Sequence, residues 1–219
     1  SQEKLDSVIA ECLVNFEKTK LGYHFPVVTG TDMKKVWTLR KAGLGLLSNI
    51  PGDAKAVAVI EDTAVDVNDL PAFIEDFNEI LKKRDLFCVH YAHAATGELH
   101  LRPIIDLKTE EGNQLFKTIA TDIAHLVKEY KGSLSGEHGD GRLRGEYIPF
   151  MIGEKNYQHC KDLKNTWDPK GIFNPGKIVD TPAMNTFLRY MPNYSTPEFD
   201  TAFSFSKDMG MLRAAEKCN

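Results

Sequence analysis

Between Leu86 and Asp106 the chain carries two runs of strand-forming residues, Leu86–Ala94 and Leu99–Asp106, separated by little more than Thr96-Gly97. Runs this close pair as an antiparallel hairpin, because a parallel pair needs a crossover of about a dozen residues or more. A Thr96-Gly97 turn sets His93 opposite His100 and Tyr91 opposite Arg102. Ladder partners share a face, as do residues two apart. His93, His100 and Arg102 then project from one side, where opposed Cβ atoms lie about 4.5–5.5 Å apart. That spacing suits two imidazoles gripping one divalent ion. His90 falls on the other face and reads as structural.

Helical spacing surrounds the hairpin. Leu5, Val8, Ile9, Cys12, Leu13 and Phe16 mark a helix over 3–20. A short strand is expected over Phe25–Val28. Thr31 or Asp32 caps a helix through Val36, Trp37 and Leu39. Lys55–Glu61 reads as a buried strand. Asn68 or Asp69 caps a helix with Pro71 in its first turn and Phe73, Ile74, Phe77, Ile80 and Leu81 as its core stripe. Leu115, Ile119, Ile123, Leu126 and Val127 mark a long helix that Gly132 ends, and a short helix covers about 155–167. Interleaved strands and helices with a hairpin predict an α+β fold, an antiparallel sheet covered by helices on one side. No G-x-G-x-x-G follows a strand and no P-loop is present, so a Rossmann unit is excluded.

Composition narrows the class. Of 219 residues, 42% are hydrophobic and 26% charged, with a formal net charge of −4. That is globular composition, with no general attraction to nucleic acid or anionic lipid. The longest apolar runs, such as Ala56–Ile60, fall far short of the roughly 20 residues of a membrane span. No apolar h-region follows Ser1–Lys4, so no signal peptide is expected at the start. Cys12, Cys88 and Cys160 sit among apolar neighbours and read as buried thiols of a reducing, cytoplasmic compartment. Cys218 is penultimate, which suggests a piece of a longer chain.

Several further residues offer chemistry beside a plainer reading. Glu137-His138 lies in the glycine-dense stretch Gly132–Gly141, where the backbone can approach a ligand closely. With the hairpin histidines, Glu137 makes a His/His/Glu set that leaves coordination positions open. Read alone, the loop is a solvated turn. Arg40 and Lys55 suit either a solvated surface or a grip on a carboxylate. Asn174-Pro175-Gly176-Lys177 reads as a terminating turn.

Taken together, H-A-x-x-G-x-L-H, then S-G-E-H-G-D-G, then W-D-P-K-G-I-F-N-P-G-K-I-V resemble the C-terminal half of FAD-linked 2-hydroxyacid dehydrogenases. That group includes D-lactate dehydrogenase, the glycolate oxidase D subunit and D-2-hydroxyglutarate dehydrogenase. The resemblance covers about residues 30–180 and is nearest to large bacterial members with a following iron–sulfur module. It implies a ferredoxin-like cap domain over 1–180, then an extended linker over 181–219 into a truncated iron–sulfur module. FAD would be bound mainly by an N-terminal FAD-binding domain outside this sequence.

By position, the resemblance assigns His93, His100 and Glu137 to a divalent metal (Zn, Mn or Fe) and His138 to proton abstraction. Arg40 and Lys55 would bind the 2-hydroxy acid and Asn174 would lie near the flavin, while Arg102, sharing the hairpin face with both histidines, would make up for the substrate-contacting Asn that relatives have where this chain has Glu98. Cys218 would be the first ligand of a 4Fe-4S cluster in the longer protein. The implied partners are a small 2-hydroxy acid and a downstream iron–sulfur module or electron acceptor, through which any peripheral membrane association would arise. Relatives often have H-x-G-D-G-N-L-H, where this chain has Ala95, Thr96 and Glu98. The same ligand set without a flavin would suit a metal-dependent hydrolase, and without turnover a metal-binding module.

Overall fold

The computed structural model describes residues 1–217, the side chains of Leu44 and Ser48 excepted. Cys218, expected as a cluster ligand, lies outside the described residues. The chain forms two compact units, residues 1–45 and the chain from Leu46 onward.

The first unit is built on α1 (Gln2–Thr19) and most of α2 (Met33–Ser48). Ser1 Oγ accepts from Lys4 N and caps α1. The apolar stripe of α1 was expected to be core, yet no residue of the helix is buried, and Leu5 and Phe16 are each 52% exposed. Phe16 stacks on Phe25 with centroids 5.8 Å apart. Residues 25–28 form no strand, since no neighbouring segment pairs with their backbone there.

The second unit holds the sheet. Its central strand, β4 (Glu98–Ile105), pairs antiparallel with β3 (Cys88–His93) on one side. On the other side it pairs with β1 (Lys55–Ala56) near its end and β2 (Ile60–Ala64) near its start. The strand expected over Lys55–Glu61 is thus split in two, and a bulge between Ile60 and Thr63 interrupts the second piece. Ala64 makes an isolated bridge to Ser133. The path strand–helix–strand–strand–helix–bridge follows the ferredoxin-like order.

Two helices cover one face, α3 (Leu70–Lys82) and α4 (Glu110–Glu129). Phe73, Phe77 and Leu81 of α3 and Phe116, Ile119, Ile123 and Val127 of α4 pack with Leu99 and Leu101 into the core. The 3.6-residue and two-residue periods therefore meet on one side of the sheet. Thr109 Oγ1 accepts from Gly112 N at 3.0 Å and caps α4, with Glu110 and Glu111 in its first turn. At the far end, Lys131 rather than Gly132 takes the left-handed conformation. Gly132 is required for proximity instead: a Cβ there would stand 2.4 Å from the Ala64 carbonyl oxygen.

Beyond the sheet come α5 (Ile148–Ile152) and α6 (Glu154–Trp167). From residue 181 the backbone is irregular apart from a 3-10 turn at Ser206–Asp208 and α7 (Met211–Ala215). The segment, read from the sequence as an extended linker, packs on residues nearer the sheet. Met184 is fully buried, and Asn185 exchanges hydrogen bonds with Asn113. Lys108 Nζ lies 2.7 Å from Asp53 Oδ1 and 3.1 Å from Glu216, while Arg213 NH2 sits 2.7 Å from Asp53 Oδ2. The bond from Arg213 outweighs burial and, with Lys108, holds the Asp53 carboxyl down at about 2. Of the described cysteines only Cys88 is buried, its thiol pushed up to about 12 by desolvation; Cys12 is exposed and Cys160 half-buried, contrary to expectation. No helix among the described residues is long and apolar enough to cross a membrane.

Candidate functional site

The face of β4 turned away from the helices carries Glu98, His100 and Arg102. Its hairpin register differs from the expected one. His93 pairs with Glu98, Tyr91 with His100 and Val89 with Arg102, so His93 is diagonal to His100 rather than opposite it. The turn takes in Ala94–Gly97: Thr96 Oγ1 donates to His93 O at 2.9 Å, and Gly97 N donates to Ala94 O at 3.2 Å. Gly97 sits at φ 72°, and a Cβ on it would fall 1.9 Å from Val65 O. A register shift of two residues keeps every side chain on its face. The two imidazoles therefore still meet, with centroids 5.1 Å apart.

The glycine-dense loop brings the next groups over this face. Ligand atoms of His93, His100 and Glu137 all lie within 4.8 Å of one another. Glu137 Oε1 stands 3.5 Å from His100 Nε2 and 3.2 Å from His138 Nε2. His100 is buried, whereas the Glu137 and His138 side chains are 46% and 59% exposed. The cluster is closed on the sheet side and open outward, as a site that exchanges substrate requires. Glu98 completes it: its Oε1 is buried without a hydrogen-bond partner among the described residues and lies 3.9 Å from His100 Nε2. Burial and then the Glu137 carboxylate push the Glu98 carboxyl up. The two imidazoles and the Glu137 carboxylate, with the orphaned Glu98 oxygen beside them, form a donor set that fits a divalent cation. Glu61, His100 and His138 form a second possible triad sharing His100.

Asp62, in the β2 bulge at φ 53°, anchors the loop. Its Oδ2 accepts from Ser135 Oγ at 3.0 Å, Glu137 N at 3.0 Å and His138 N at 2.6 Å, and its Oδ1 pairs with Arg144. Arg144, with a side chain 6% exposed, also donates to the carbonyls of Leu134 at 3.2 Å and Gly139 at 2.9 Å. Burial alone would raise the Asp62 carboxyl, but the His138 and Glu137 amides and the Arg144 guanidinium outweigh it and hold it below its usual range. Gly136 lets this loop lie close: a Cβ there would meet Asp62 O at 3.1 Å and Glu98 Cδ at 3.4 Å.

Arg102 joins the histidine face, with NH2 2.8 Å from Glu61 Oε1. Lys55 does not. Its pairing with Ile105 gives it the opposite face, and Nζ donates to Ile50 O at 2.6 Å. Burial lowers the Lys55 ammonium from its usual range. Arg40 belongs to the first unit, its guanidinium 5.2 Å from the Trp37 ring centroid. Asn174 lies in the turn after α6 at φ 46°, next to Ile172 and Phe173, whose amides Asp168 accepts. His90 faces α3, its Nε2 3.0 Å from Asn78 Oδ1. Sequence reasoning missed Glu61, Asp62 and Arg144, and took Glu98 only as a departure from relatives. The available signal was Glu61-Asp62 itself, a charged pair closing an apolar strand run.

The family profile described as "FAD linked oxidases, C-terminal domain" matches residues 1–178. The D-2-hydroxyglutarate dehydrogenase of Pseudomonas putida is 41% identical over 144 residues, 66% of this chain and 14% of that protein. That of Escherichia coli is 34% identical over 172 residues, 73% of this chain and 17% of that protein. The glycolate oxidase subunit GlcD of Bacillus subtilis is 26% identical over 159 residues, 73% of this chain and 34% of that protein. At 14% and 17%, the chain spans about a sixth of the length of the two dehydrogenases.

Proposed function

We propose, from the premise that the chain belongs to the C-terminal domain family of FAD-linked oxidases, that it is the substrate-binding part of an FAD-dependent dehydrogenase. The reaction would oxidise a D-2-hydroxy acid, 2-hydroxyglutarate- or lactate-like, to the 2-oxo acid. The observation that carries this reading is the convergence of His93, His100 and Glu137 within 4.8 Å, with His138 3.2 Å from Glu137. FAD, held mainly by a preceding domain, would supply the hydride acceptor, with Asn174 on its side of the chain. A divalent cation (Zn, Mn or Fe) on His93, His100 and Glu137 would lower the hydroxyl pKa of a chelated 2-hydroxy acid.

The chain's own residues supply the rest. His138 takes the hydroxyl proton, since an imidazole with a free ring nitrogen is a fitting general base. Its exposure lets the proton pass on to water. Arg102, steadied by Glu61, offers its remaining N–H groups to a carboxylate on the histidine face. Arg40 keeps the carboxylate-binding role of its family position. Lys55, on the opposite face, would need a path around the sheet edge to share the ligand. Cys218 would ligate a cluster in a downstream iron–sulfur module that carries electrons away, with any membrane association arising through the acceptor.

The test is anaerobic mixing of the full-length protein with a panel of D-2-hydroxy acids while flavin absorbance is followed. Bleaching that is lost on chelation and restored by metal is expected. Failure of every D-2-hydroxy acid to bleach the flavin would overturn the reading. Flavin-independent ester or amide cleavage would favour a hydrolase. His138→Ala should cut turnover with metal retained, whereas His93→Ala and His100→Ala should lose metal.

A further inference from the structure

Glu61 enters the chemistry above only as the partner of Arg102, yet it touches two of the site's side chains. The bulge after Ile60 turns Glu61 away from the core, out toward the histidine face. There one oxygen, Oε1, accepts from His100 Nδ1 at 3.0 Å and from Arg102 NH2 at 2.8 Å. The Glu61 and His100 side chains are largely buried, so water competes weakly for either bond. Glu61 Oε2 is buried without a hydrogen-bond partner among the described residues, so both of the side chain's hydrogen bonds there meet at Oε1.

We infer that Glu61 is a positioning residue: it fixes His100 as the Nδ1–H tautomer, so that Nε2 would be the nitrogen left to hold a divalent cation, and it ties Arg102 to the same imidazole. This rests on the metal reading above. A ring nitrogen that donates cannot ligate, so a carboxylate on Nδ1 commits the other nitrogen's lone pair to the metal and raises its basicity. His100 Nε2 is the nitrogen that faces Glu137, 3.5 Å away. Because the same oxygen holds Arg102, the carboxylate-binding cation and the metal-binding imidazole share one anchor. Glu61 thereby acts through His100 rather than on the cation, although it also belongs to a possible triad with His100 and His138.

The measurement is zinc affinity of the full-length protein, by competition with a chromophoric chelator, for wild type, Glu61→Ala, Glu61→Gln and Arg102→Met. Loss of such an outer partner costs about 10–100-fold in metal affinity, which is expected for Glu61→Ala. Glu61→Gln keeps an acceptor for Nδ1–H and should weaken zinc only about two- to tenfold. Arg102→Met should stay within about twofold, since it leaves the Glu61–His100 bond intact. Wild-type affinity in Glu61→Ala would overturn the inference. So would Glu61→Gln falling as far as Glu61→Ala, which would make Glu61 a ligand, or Arg102→Met doing so, which would make Arg102 the determinant. If Glu61→Ala fails to fold, Glu61→Gln decides alone: unchanged affinity, or a loss far beyond tenfold, refutes it. A wild type that binds no zinc sinks the metal reading as well, whereas a wild type that binds while Glu61→Ala binds equally sinks only this inference.

Discussion

Replacing Asp62 by Asn tests how the fold holds the site. The Asp62 side chain is fully buried and carries the charge that faces Arg144. Removing one member of a buried ion pair costs about 3–5 kcal/mol, because the other charge is left uncompensated. Arg144 retains the carbonyls of Leu134 and Gly139, and Asn keeps one acceptor oxygen, so the low end applies. The Asn amide must also point a donor at either Arg144 or the amides of Glu137 and His138. A loss of about 3 kcal/mol corresponds to about 6–12 °C in a chain of this size. Thermal unfolding followed by far-UV circular dichroism measures it. Arg144→Met and the double variant close the cycle, and a coupling above about 1 kcal/mol is expected for groups in direct contact. Zinc retention should fall together with stability, since Asp62 holds the backbone of both Glu137 and His138. A variant melting within about 2 °C of wild type, or strictly additive single changes, would refute the reasoning. The pH dependence has a definite sign. A carboxyl held below its usual range stabilises the fold above the unfolded value of about 3.9 and loses that contribution as pH falls through the folded value. Wild type should therefore lose the loop in acid, and Asp62→Asn should show a flatter acid limb.

The tail obeys the same sign at another place. With Asp53 held at about 2, its grip on Arg213 and Lys108 should fade between about pH 4 and pH 2; hydrogen exchange of residues 205–217 should rise there, and Asp53→Asn should raise it at neutral pH. Gly97→Ala forces a Cβ to 1.9 Å from Val65 O and should cost about 2 kcal/mol or more while scattering His93 and Glu98; retained zinc affinity would contradict the account of the turn. Phe77→Ala, at a fully buried position, should cost about 3–5 kcal/mol in urea unfolding with zinc affinity unchanged, separating core from site.

How far the sequence could be read depends on the residue. α3 was legible through Pro71 in its first turn and the Phe73–Phe77–Leu81 stripe, because these signals are local and agree with each other; Asp69 stands at the N-cap but its side chain makes no capping hydrogen bond. The hairpin was legible in its face and not in its register. Thr96-Gly97 admits more than one turn, and the choice falls to Val65, a residue of another segment, whose amide donates to Gly97 O at 3.0 Å. The α1 stripe looked like core material, yet periodicity states only that a face is apolar and not that a partner covers it. The contacts of the segment from residue 181, read as an extended linker, were not legible because ion pairs such as Lys108–Glu216 join residues far apart in the chain and leave no periodic trace.

Within the chain itself, the two-residue period of β4 determined that Glu98, His100 and Arg102 share a side, and the glycines around Glu137 and His138 determined that a loop can come close to them. Tertiary structure decided that the loop does come, through Asp62 and Arg144, and that Glu61 rather than a nearer residue holds His100. The reason is physical: alternation along a strand is fixed by covalent geometry, whereas a buried charge finds its partner only where folding has already removed the water.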